Sequence, residues 1–433
     1  MCLRHPARTA RGVGGPDGHS VPSPNLPSTP DSRHPVCFSY SKRDFALFRH
    51  GGVAISPGPY AGRVVAHHTL ERAQRAVVML AALLLAGLGV PGCADAGPDE
   101  LPTTVTATAN GLLLDGHPWW PAGMNAYQLG TNWAVNRGCG AQVDLDAYFG
   151  ALPPRSLTRF DAFQALATDR VTGQTDFTAL DAVFAAAERH RQMLIPVLVA
   201  QDGACEDERF KTHDWFTGGW RQATTQPLTF EGWMRSAVQR WSSSPAVAMW
   251  EIIGEAEPAH CDFAQCTDSG RCPDDAAQVL RRFVDDTGAI VRSLSDKLVT
   301  AGSAGGGQCG TQGDEYQYVA ASPGIDILQY HDYSEGRQPL PGDEWNGLAR
   351  RFEQARAVGK PLLVGEIGEY AGSCRTLTQR ADDLSARIDG QRAAGSVGVL
   401  VWSFVPDPRP QECTYDVGPE DPVFVVLRKH NSA

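Results

Sequence analysis

The sequence predicts an α/β protein built as a (β/α)8, or TIM, barrel, and three observations point to it. Eight segments with the apolar composition of buried parallel strands recur along the chain. Segments with helical periodicity separate many of them. Polar and charged residues stand repeatedly where a strand ends, which is where the functional groups of such barrels gather. At 433 residues the chain can hold one barrel of about 250 residues or more together with additional segments.

The predicted strands and helices follow one another along residues 118–404. The run MLIPVLVA at residues 193–200 is the clearest strand, because a parallel strand covered on both faces is continuously apolar. Helices are assigned where apolar residues recur at helical spacing. The predicted strands are 118–125, 156–161, 193–200, 246–253, 298–302, 327–333, 361–367 and 397–404. The predicted helices are 177–191, 230–241, 274–293, 344–358 and 380–394.

An open, doubly wound parallel sheet is the alternative arrangement of alternating strands and helices. Such a sheet normally has a glycine-rich phosphate-binding turn after an early strand. The glycine-rich segment GSAGGGQCG at residues 302–310 follows the fifth predicted strand and lacks a Lys-Ser/Thr pair. We therefore interpret it as a loop, and the count of eight strands favours the barrel.

The first 93 residues differ in composition from the rest. Residues 1–70 are rich in Pro, Gly, Arg and Ser without apolar periodicity, and are interpreted as a disordered or non-native upstream segment. Residues 71–93 have the pattern of a signal peptide, since Arg72 and Arg75 precede a fifteen-residue apolar run at 76–90. The run ends at Pro91 and Cys93, as in a bacterial lipobox, whose cysteine is lipidated. We expect initiation downstream of Met1, export with a lipid anchor on Cys93, a tether over 94–110 and the barrel domain over 111–433.

The charge of the chain is unevenly distributed. Residues 1–92 contain ten Lys/Arg and four Asp/Glu, whereas the remainder contains 28 Lys/Arg and 45 Asp/Glu. Because residues 93–433 are so acidic, they lack the basic face that phosphate binding requires, which excludes nucleic acid as a partner. This composition suits an exported protein that acts on a neutral polymer, with membrane contact only through the lipid anchor.

Eight cysteines follow Cys93, and an even number in an exported chain favours disulfides. The spacing of Cys261, Cys266 and Cys272 is not the usual pair of Cys-x2-Cys knuckles, so zinc is the less favoured alternative there. All eight cysteines fall in predicted loops at the carboxyl ends of strands. The hypothesis is that they join long loops into a rigid cleft, with Cys139–Cys205 and Cys374–Cys413 as candidate pairs.

Two predicted strands end on a carboxylate. The segment WEIIGEAEP at residues 250–258 contains Glu255, and KPLLVGEIGEY at residues 360–370 contains Glu366. Two carboxylates at the ends of separate strands of one sheet are what glycoside hydrolysis needs, because one protonates the leaving oxygen while the other attacks the anomeric carbon. Arg159, His331, Tyr333 and Trp402 stand at the ends of other predicted strands.

This set resembles glycoside hydrolase clan A, and within it family five, the cellulase and β-mannanase group, over about residues 112–405. The resemblance implies that Glu255 is the acid/base and Glu366 the nucleophile of a retaining enzyme acting on a β-linked poly- or oligosaccharide. It further implies that Arg159 and Tyr333 hydrogen-bond the nucleophile, that His331 lines the site and that Trp402 lies under the sugar. No metal or organic cofactor is implied.

One departure from the family pattern stands beside the acid/base. The family has Asn where this chain has Gly254, and that Asn normally bonds the sugar 2-hydroxyl. A changed sugar at the cleavage site and weakened activity are the two explanations, and they leave mannan, glucan, furanoside and envelope glycans open. A non-catalytic carbohydrate-binding lipoprotein on a degenerate barrel is the alternative function.

Several other residues near the predicted strand ends have open interpretations. Glu251, Glu257 and Glu369 are carboxylates close to the two assigned ones, although the register with the family motif favours Glu255 and Glu366. Three tryptophans in predicted loops either line outer sugar subsites or belong to the core. These are Trp133, Trp215 and Trp220.

Overall fold

The described chain opens with a small antiparallel sheet that closes one end of the molecule. The computed structural model describes residues 103–261 and 272–431. The sheet consists of β1 (Val105–Thr108), β2 (Gly111–Leu114) and β3 (His117–Trp119). Its buried side chains join those at the amino ends of the parallel strands in one apolar cluster. β1 lies inside the segment 94–110 that the sequence assigned to a tether, and it pairs with β2 along its whole length.

Eight parallel strands form the barrel. They are β4 (Ala122–Asn125), β5 (Leu157–Asp161), β6 (Met193–Val197), β7 (Met249–Glu251), β8 (Leu298–Thr300), β9 (Leu328–Asp332), β10 (Leu362–Gly368) and, after the short β11 (Ala371–Gly372), β12 (Val399–Trp402). Neighbours in sequence are neighbours in the sheet, and β12 pairs with β4. A parallel bridge between Thr300 and Ile327 joins the two ends of this sheet and closes the ring. The predicted (β/α)8 barrel is thereby confirmed.

Helices cover the outside of the barrel. They are α1 (Leu145–Ala151), α2 (Thr178–Arg189), α3 (His213–Thr217), α4 (Phe230–Trp241), α5 (Ala276–Arg292), α6 (Glu315–Ala320), α7 (Leu348–Val358), α8 (Leu377–Ala394) and α9 (Val423–His430). α5 buries an apolar stripe that includes Val279, Phe283 and Val284, whereas α8 also buries Arg380 and Arg387. No described helix combines the length and apolar composition needed to cross a membrane.

Local sequence fixes where several helices begin and end. The Thr229 hydroxyl accepts a hydrogen bond from the backbone N–H of Gly232 and caps α4. A capping box of Thr376 and Gln379 starts α8 three residues before the predicted boundary. Gly359 ends α7 in the left-handed conformation, which suits a residue without a side chain.

The eight barrel strands lie in the eight predicted segments, except that β10 continues one residue further, to Gly368. Of the five predicted helices, α4 has the predicted bounds and the other four have shifted ends. The main difference concerns residues 118–125, which contain two elements. Pro118 and Trp119 belong to the antiparallel sheet, whereas Ala122–Asn125 is the first barrel strand. The apolar run continues from the buried Trp119 into the buried strand Ala122–Asn125, so composition alone does not separate the two elements.

A two-stranded ribbon lies among the loops that follow the last strands. Ala371–Gly372 pairs with β13 (Cys413–Thr414). The Cys374–Cys413 disulfide lies beside this ribbon. Two further disulfides, Cys139–Cys205 and Cys272–Cys309, join other loops after the strands. Both candidate pairs from the sequence are therefore confirmed, and Cys272 is not a zinc ligand. Cys93 and Cys266 lie outside the described residues.

Candidate active site

Glu366 stands on an irregular part of β10. The pairing of β10 with both neighbouring strands shifts register between Val364 and Ile367, which turns the Glu366 side chain towards the barrel mouth. Gly365 precedes it, and a Cβ atom at that position would lie 2.0 Å from the Oε1 atom of Gln329. Glycine is therefore required there by the close approach of Gln329 from β9.

Three groups surround the Glu366 carboxylate, which is only 4% exposed. Arg159 donates from Nη1 to Oε1 over 2.7 Å, and the Tyr333 hydroxyl donates to Oε2. His331 Nδ1 lies 3.5 Å from Oε1. Burial raises the pKa of Glu366 above its ordinary value, against the charges of His331 and Arg159, which lower it. These donors thus favour the ionised form that burial disfavours.

Arg159 is itself held by a second, deeper carboxylate. Its Nε and Nη2 atoms donate to Glu251 over 2.8 and 2.6 Å, and Nη1 also donates to Asn125 over 3.0 Å. Glu251 is completely buried and accepts a further hydrogen bond from Gln329. One fork-shaped cation therefore bridges two carboxylates, and its planar geometry fixes the position of Glu366.

Glu255 follows β7 and approaches Glu366 from the other side of the mouth. Its backbone has a positive φ of 62°, and its side chain is 46% exposed. His331 Nδ1 lies 2.7 Å from Glu255 Oε1. Oxygen atoms of Glu255 and Glu366 and a ring nitrogen of His331 all lie within 4.8 Å of one another. This spacing agrees with the separation of about 5–5.5 Å of retaining enzymes and not with the wider one of inverting enzymes.

His331 couples the two carboxylates. Burial lowers its pKa, but the charges of Glu366 and Glu255 outweigh that effect and raise it overall. Burial would raise the pKa of Glu255, whereas the hydrogen bond and charge of His331 hold it below its ordinary value. A sugar in the mouth would remove water from the exposed Glu255 side chain, and desolvation then shifts its pKa upward, towards the protonated form.

Trp402 ends β12 on the same side of the barrel as the loop after β4. Its ring stacks against Tyr127 with a centroid distance of 5.8 Å and an interplanar angle of 15°. The Trp402 side chain is only partly buried. This partly exposed indole, which pairs along the strand with Gly368 of β10, offers a flat apolar surface to the C–H face of a sugar.

Gly254 lies against the Arg159 guanidinium. A Cβ atom at position 254 would stand 3.2 Å from Arg159 Nη2 and 3.6 Å from Val197. Its backbone N–H donates to the carbonyl of Val199. A side chain at position 254 would thus crowd the cation that supports Glu366.

The remaining carboxylates have other partners. Glu251 is the counter-charge of Arg159, as described above. Glu369 is fully buried in ion pairs with Arg387 and Arg375. Glu257 accepts a hydrogen bond from the backbone N–H of Cys309, and burial raises its pKa. Neither Glu257 nor Glu369 is in the group of titratable atoms that converges on His331.

The tryptophans in the loops divide between core and surface. Trp220 is buried, and Trp215 packs against Phe216, Phe230 and Phe283. Trp133 is 46% exposed in the loop after β4. The subsite interpretation therefore survives for Trp133, whereas Trp215 and Trp220 belong to the core.

Sequence reasoning missed four residues around the site: Asn125, Tyr127, Asp161 and Gln329. Asn125 and Asp161 end β4 and β5, so the strand-end criterion that selected Arg159 could have found them. Gln329 lies inside β9, two positions before His331 and on the same face. Tyr127 follows its strand in a short 3-10 turn, and no local pattern pointed to it.

Comparison with known proteins relates the chain to mannanases. No family model matches it. Mannan endo-1,4-beta-mannosidase A of Aspergillus aculeatus is 24% identical over 366 residues, which cover 74% of this chain and 88% of the relative. Mannan endo-1,4-beta-mannosidase F of Aspergillus fumigatus is 25% identical over 251 residues, 54% of this chain and 52% of the relative.

The solved structures agree in fold. The endo-1,4-beta-mannanase of Rhizomucor miehei superposes with a TM-score of 0.55 at 14% identity, covering 76% of this chain and 98% of that one. The endo-beta-1,4-mannanase of Thermotoga petrophila gives a TM-score of 0.51 at 13% identity, covering 73% and 77%. Sequence relatives, barrel and paired carboxylates together identify the chain as an O-glycosyl hydrolase, and the solved structures that share its fold include a family 5 glycoside hydrolase, a mannosidase of Rhizomucor miehei.

Proposed function

We propose that the protein is a retaining endo-β-mannanase in which Glu366 is the nucleophile and Glu255 the acid/base. The observation that carries this assignment is the asymmetry between the two carboxylates around His331. Glu366 is buried with Arg159 and Tyr333 as donors, whereas Glu255 has a single partner and faces solvent. A nucleophile must stay ionised and in place, while an acid/base must gain and lose a proton.

The reaction proceeds by two displacements. A Glu366 oxygen attacks the anomeric carbon as the glycosidic bond breaks, and Glu255 transfers its proton to the departing sugar oxygen. Glu255, now ionised, takes a proton from water, and the water oxygen displaces Glu366 from the anomeric carbon. The second step restores both carboxyl groups and releases a sugar with its original anomeric configuration.

Mannan is proposed as the substrate because the named relatives are mannan endo-1,4-beta-mannosidases. The described site contributes the apolar floor of Trp402 and the polar rim of the mouth. Gly254 favours the second candidate, a non-catalytic carbohydrate-binding protein, since the donor that the family places there is missing. The intact group of Glu255, His331 and Glu366 favours hydrolysis.

The test compares the purified protein with Glu366→Gln, Glu255→Gln and Glu257→Gln on β-mannan and β-glucan. We expect mannan turnover, its loss by at least about 10³-fold in the first two variants, and retained turnover in Glu257→Gln, which is the matched control. NMR of the first product formed should show the β-anomer. Loss in Glu257→Gln with activity kept in Glu255→Gln would reverse the assignment of the acid/base.

Binding measurements separate the two candidate functions. Sugar binding without turnover in all four proteins would establish the non-catalytic alternative. Turnover of β-glucan in preference to mannan would retain the mechanism and replace the substrate. An α-anomer as first product would contradict the double displacement.

We also propose that the protein is exported and anchored through a lipid on Cys93. The disulfides Cys139–Cys205, Cys272–Cys309 and Cys374–Cys413 support export, because such bonds form in oxidising compartments. Metabolic labelling with a fatty-acid probe should label the wild-type protein in a bacterial host but not Cys93→Ser. Equal labelling of both proteins, or of neither, would refute the anchor at this residue.

A further inference from the structure

Asp161 is a carboxylate at the barrel mouth that the mechanism above does not use. It is the last residue of β5, two positions after Arg159, so both side chains lie on the same face of the strand. Two residues advance a strand by about 6–7 Å. Asp161 therefore lies one step further out of the barrel than the cation that supports Glu366, and it is partly exposed.

The surroundings of Asp161 place it against a rigid wall. One of its carboxylate oxygens and the Sγ atoms of Cys139 and Cys205 lie within 4.8 Å of one another. That disulfide joins the loop after β4 to the loop after β6. Asp161 thus lies between two loops whose separation is covalently fixed.

Within residues 103–261 and 272–431, no donor forms a hydrogen bond or ion pair with the Asp161 carboxylate. Arg159 attracts its charge from a distance, while Glu206 and Asp202 repel it. Burial is the main reason why its pKa lies well above the ordinary value. A partly buried carboxyl group without a donor is unfavourable, so ligand hydroxyl groups that donate to it would satisfy it and lower its pKa towards the ionised form.

The position of Asp161 defines which part of a glycan it can meet. Glu255 protonates the leaving oxygen from the β7 side, so the leaving sugar lies on that side. Trp402, Tyr127 and Asp161 belong to β12, to the loop after β4 and to β5, which are neighbours in the barrel. They therefore face the sugars that are transferred to Glu366, on the non-reducing side of the cleaved bond.

We propose that Asp161 binds the hydroxyl groups of the second sugar on the non-reducing side, next to the sugar that rests on Trp402. The first sugar occupies the space between Trp402 and the two catalytic carboxylates, and Asp161 lies one step beyond it. The ligand is a neutral pyranose with adjacent hydroxyls that both oxygens of the carboxylate can accept. The inference rests on the proposed function.

The test uses two aryl β-glycosides with the same leaving group, one carrying a single mannose and the other mannobiose. Asp161→Ala should lower kcat/KM for the mannobioside by ten- to a hundredfold, mainly through KM, because a hydrogen bond to a charged group is lost. For the glycoside with a single mannose, kcat/KM should change less than threefold. The kcat/KM of Asp161→Asn for the mannobioside should lie between the values of Asp161→Ala and wild type. Asp382→Asn, which removes an exposed charge on α8, should have the kcat/KM of the wild type.

Two results would overturn the inference. Equal losses on both glycosides would show that Asp161 acts on the reacting centre through its charge, and unchanged values on both would show that it binds no sugar. Thermal unfolding of each variant verifies that the protein is folded. If the wild type hydrolyses neither these glycosides nor β-mannan, the proposed function fails, and mannotriose binding to Glu366→Gln with and without Asp161→Ala still tests Asp161. Equal affinities of Glu366→Gln and the double variant for mannotriose would overturn the proposed role of Asp161.

Discussion

The ends of β7 and β10 each present a carboxylate to the same space, but they are built in opposite ways. Glu366 is buried, and Arg159 and Tyr333 both donate to it. Glu255 is nearly half exposed, stands on a left-handed backbone and has His331 as its partner. Under the proposed mechanism, the donors of Glu366 oppose the burial that raises its pKa and hold its carboxylate in place, while the exposed Glu255 can exchange a proton with substrate or water.

The supporting shell follows the same division. Behind Glu366 lie Arg159, Glu251, Asn125 and Gln329, each hydrogen-bonded to another member of the group. Behind Glu255 lies a glycine and the loop that contains Glu257. If the comparison is correct, breaking the buried ion pairs behind Glu366 should cost stability and activity together, whereas changing Glu255 itself should affect activity alone.

The largest effect is expected from Arg159→Met. It removes the cation between two buried carboxylates, and breaking a buried pair typically costs about 3–5 kcal/mol of unfolding free energy. Activity should fall by at least about 10³-fold, since Glu366 loses a donor to its charged form. Urea unfolding and kcat/KM on mannan measure both effects.

Arg159→Lys is the matched control for that change, because it keeps the positive charge but replaces the planar guanidinium, which donates to both carboxylates, with a single ammonium group. It should recover part of the stability and little of the activity. If the unfolding free energies of Arg159→Met and wild type agree within 1 kcal/mol, the buried network does not hold Glu366.

Tyr333→Phe should have the next largest effect, about ten- to a hundredfold in kcat/KM with little loss of stability. The hydroxyl donates to ionised Glu366 and so lowers its pKa. Its removal raises that pKa, and the acidic limb of the pH profile of kcat/KM should move to higher pH. Tyr415→Phe, which alters the ring packed edge-on against Tyr333, is the control and should leave the limb in place.

A smaller effect is expected from Gly254→Ala. The added Cβ would stand 3.2 Å from Arg159 Nη2, and the ion pairs of Arg159 with Glu251 and Glu366 keep the guanidinium from moving away. We expect a three- to tenfold loss of kcat and about 1 kcal/mol or less of stability. An increase in kcat for this variant would show that the glycine weakens catalysis and that the site can accept a side chain.

The smallest effect is the pH dependence of stability that His331 confers. Its pKa is raised in the folded protein above the unfolded value, so its pairing with the carboxylates stabilises the fold fully below that unfolded value. The contribution is lost as pH rises through the folded pKa. The difference in unfolding free energy between wild type and His331→Gln should therefore shrink from pH 6 to pH 9, as measured by urea unfolding. A difference that grows over this range would contradict the raised pKa.

Disulfide pairing shows how far loop positions could be read from the sequence. Cys139–Cys205 and Cys374–Cys413 were predictable because their cysteines follow strands that are close together in a barrel. The pair Cys272–Cys309 was not separated from the alternatives, because three cysteines cluster at 261–272 and spacing alone does not select one of them.

The sequence by itself determined the barrel and the residues at its strand ends. Apolar runs located all eight strands, and the positions of Glu255, Glu366, Arg159, His331, Tyr333 and Trp402 followed from where those runs end. Both properties are local, since they depend on periodicity and on the residue that follows it. The N-terminal sheet was missed because β3 and β4 merge into one apolar run.

Tertiary structure alone decided which charges face one another. Glu251 and Glu255 are four residues apart and equally acidic, yet Glu251 pairs with Arg159 inside the barrel while Glu255 reaches the mouth. Asp161 and Tyr127 lie at the site because β12, β4 and β5 are neighbours in the barrel, which the sequence alone does not show. These contacts depend on the register between strands that are far apart in sequence, as Arg159 and Glu366 are by 207 residues. No pattern within one segment contains that register.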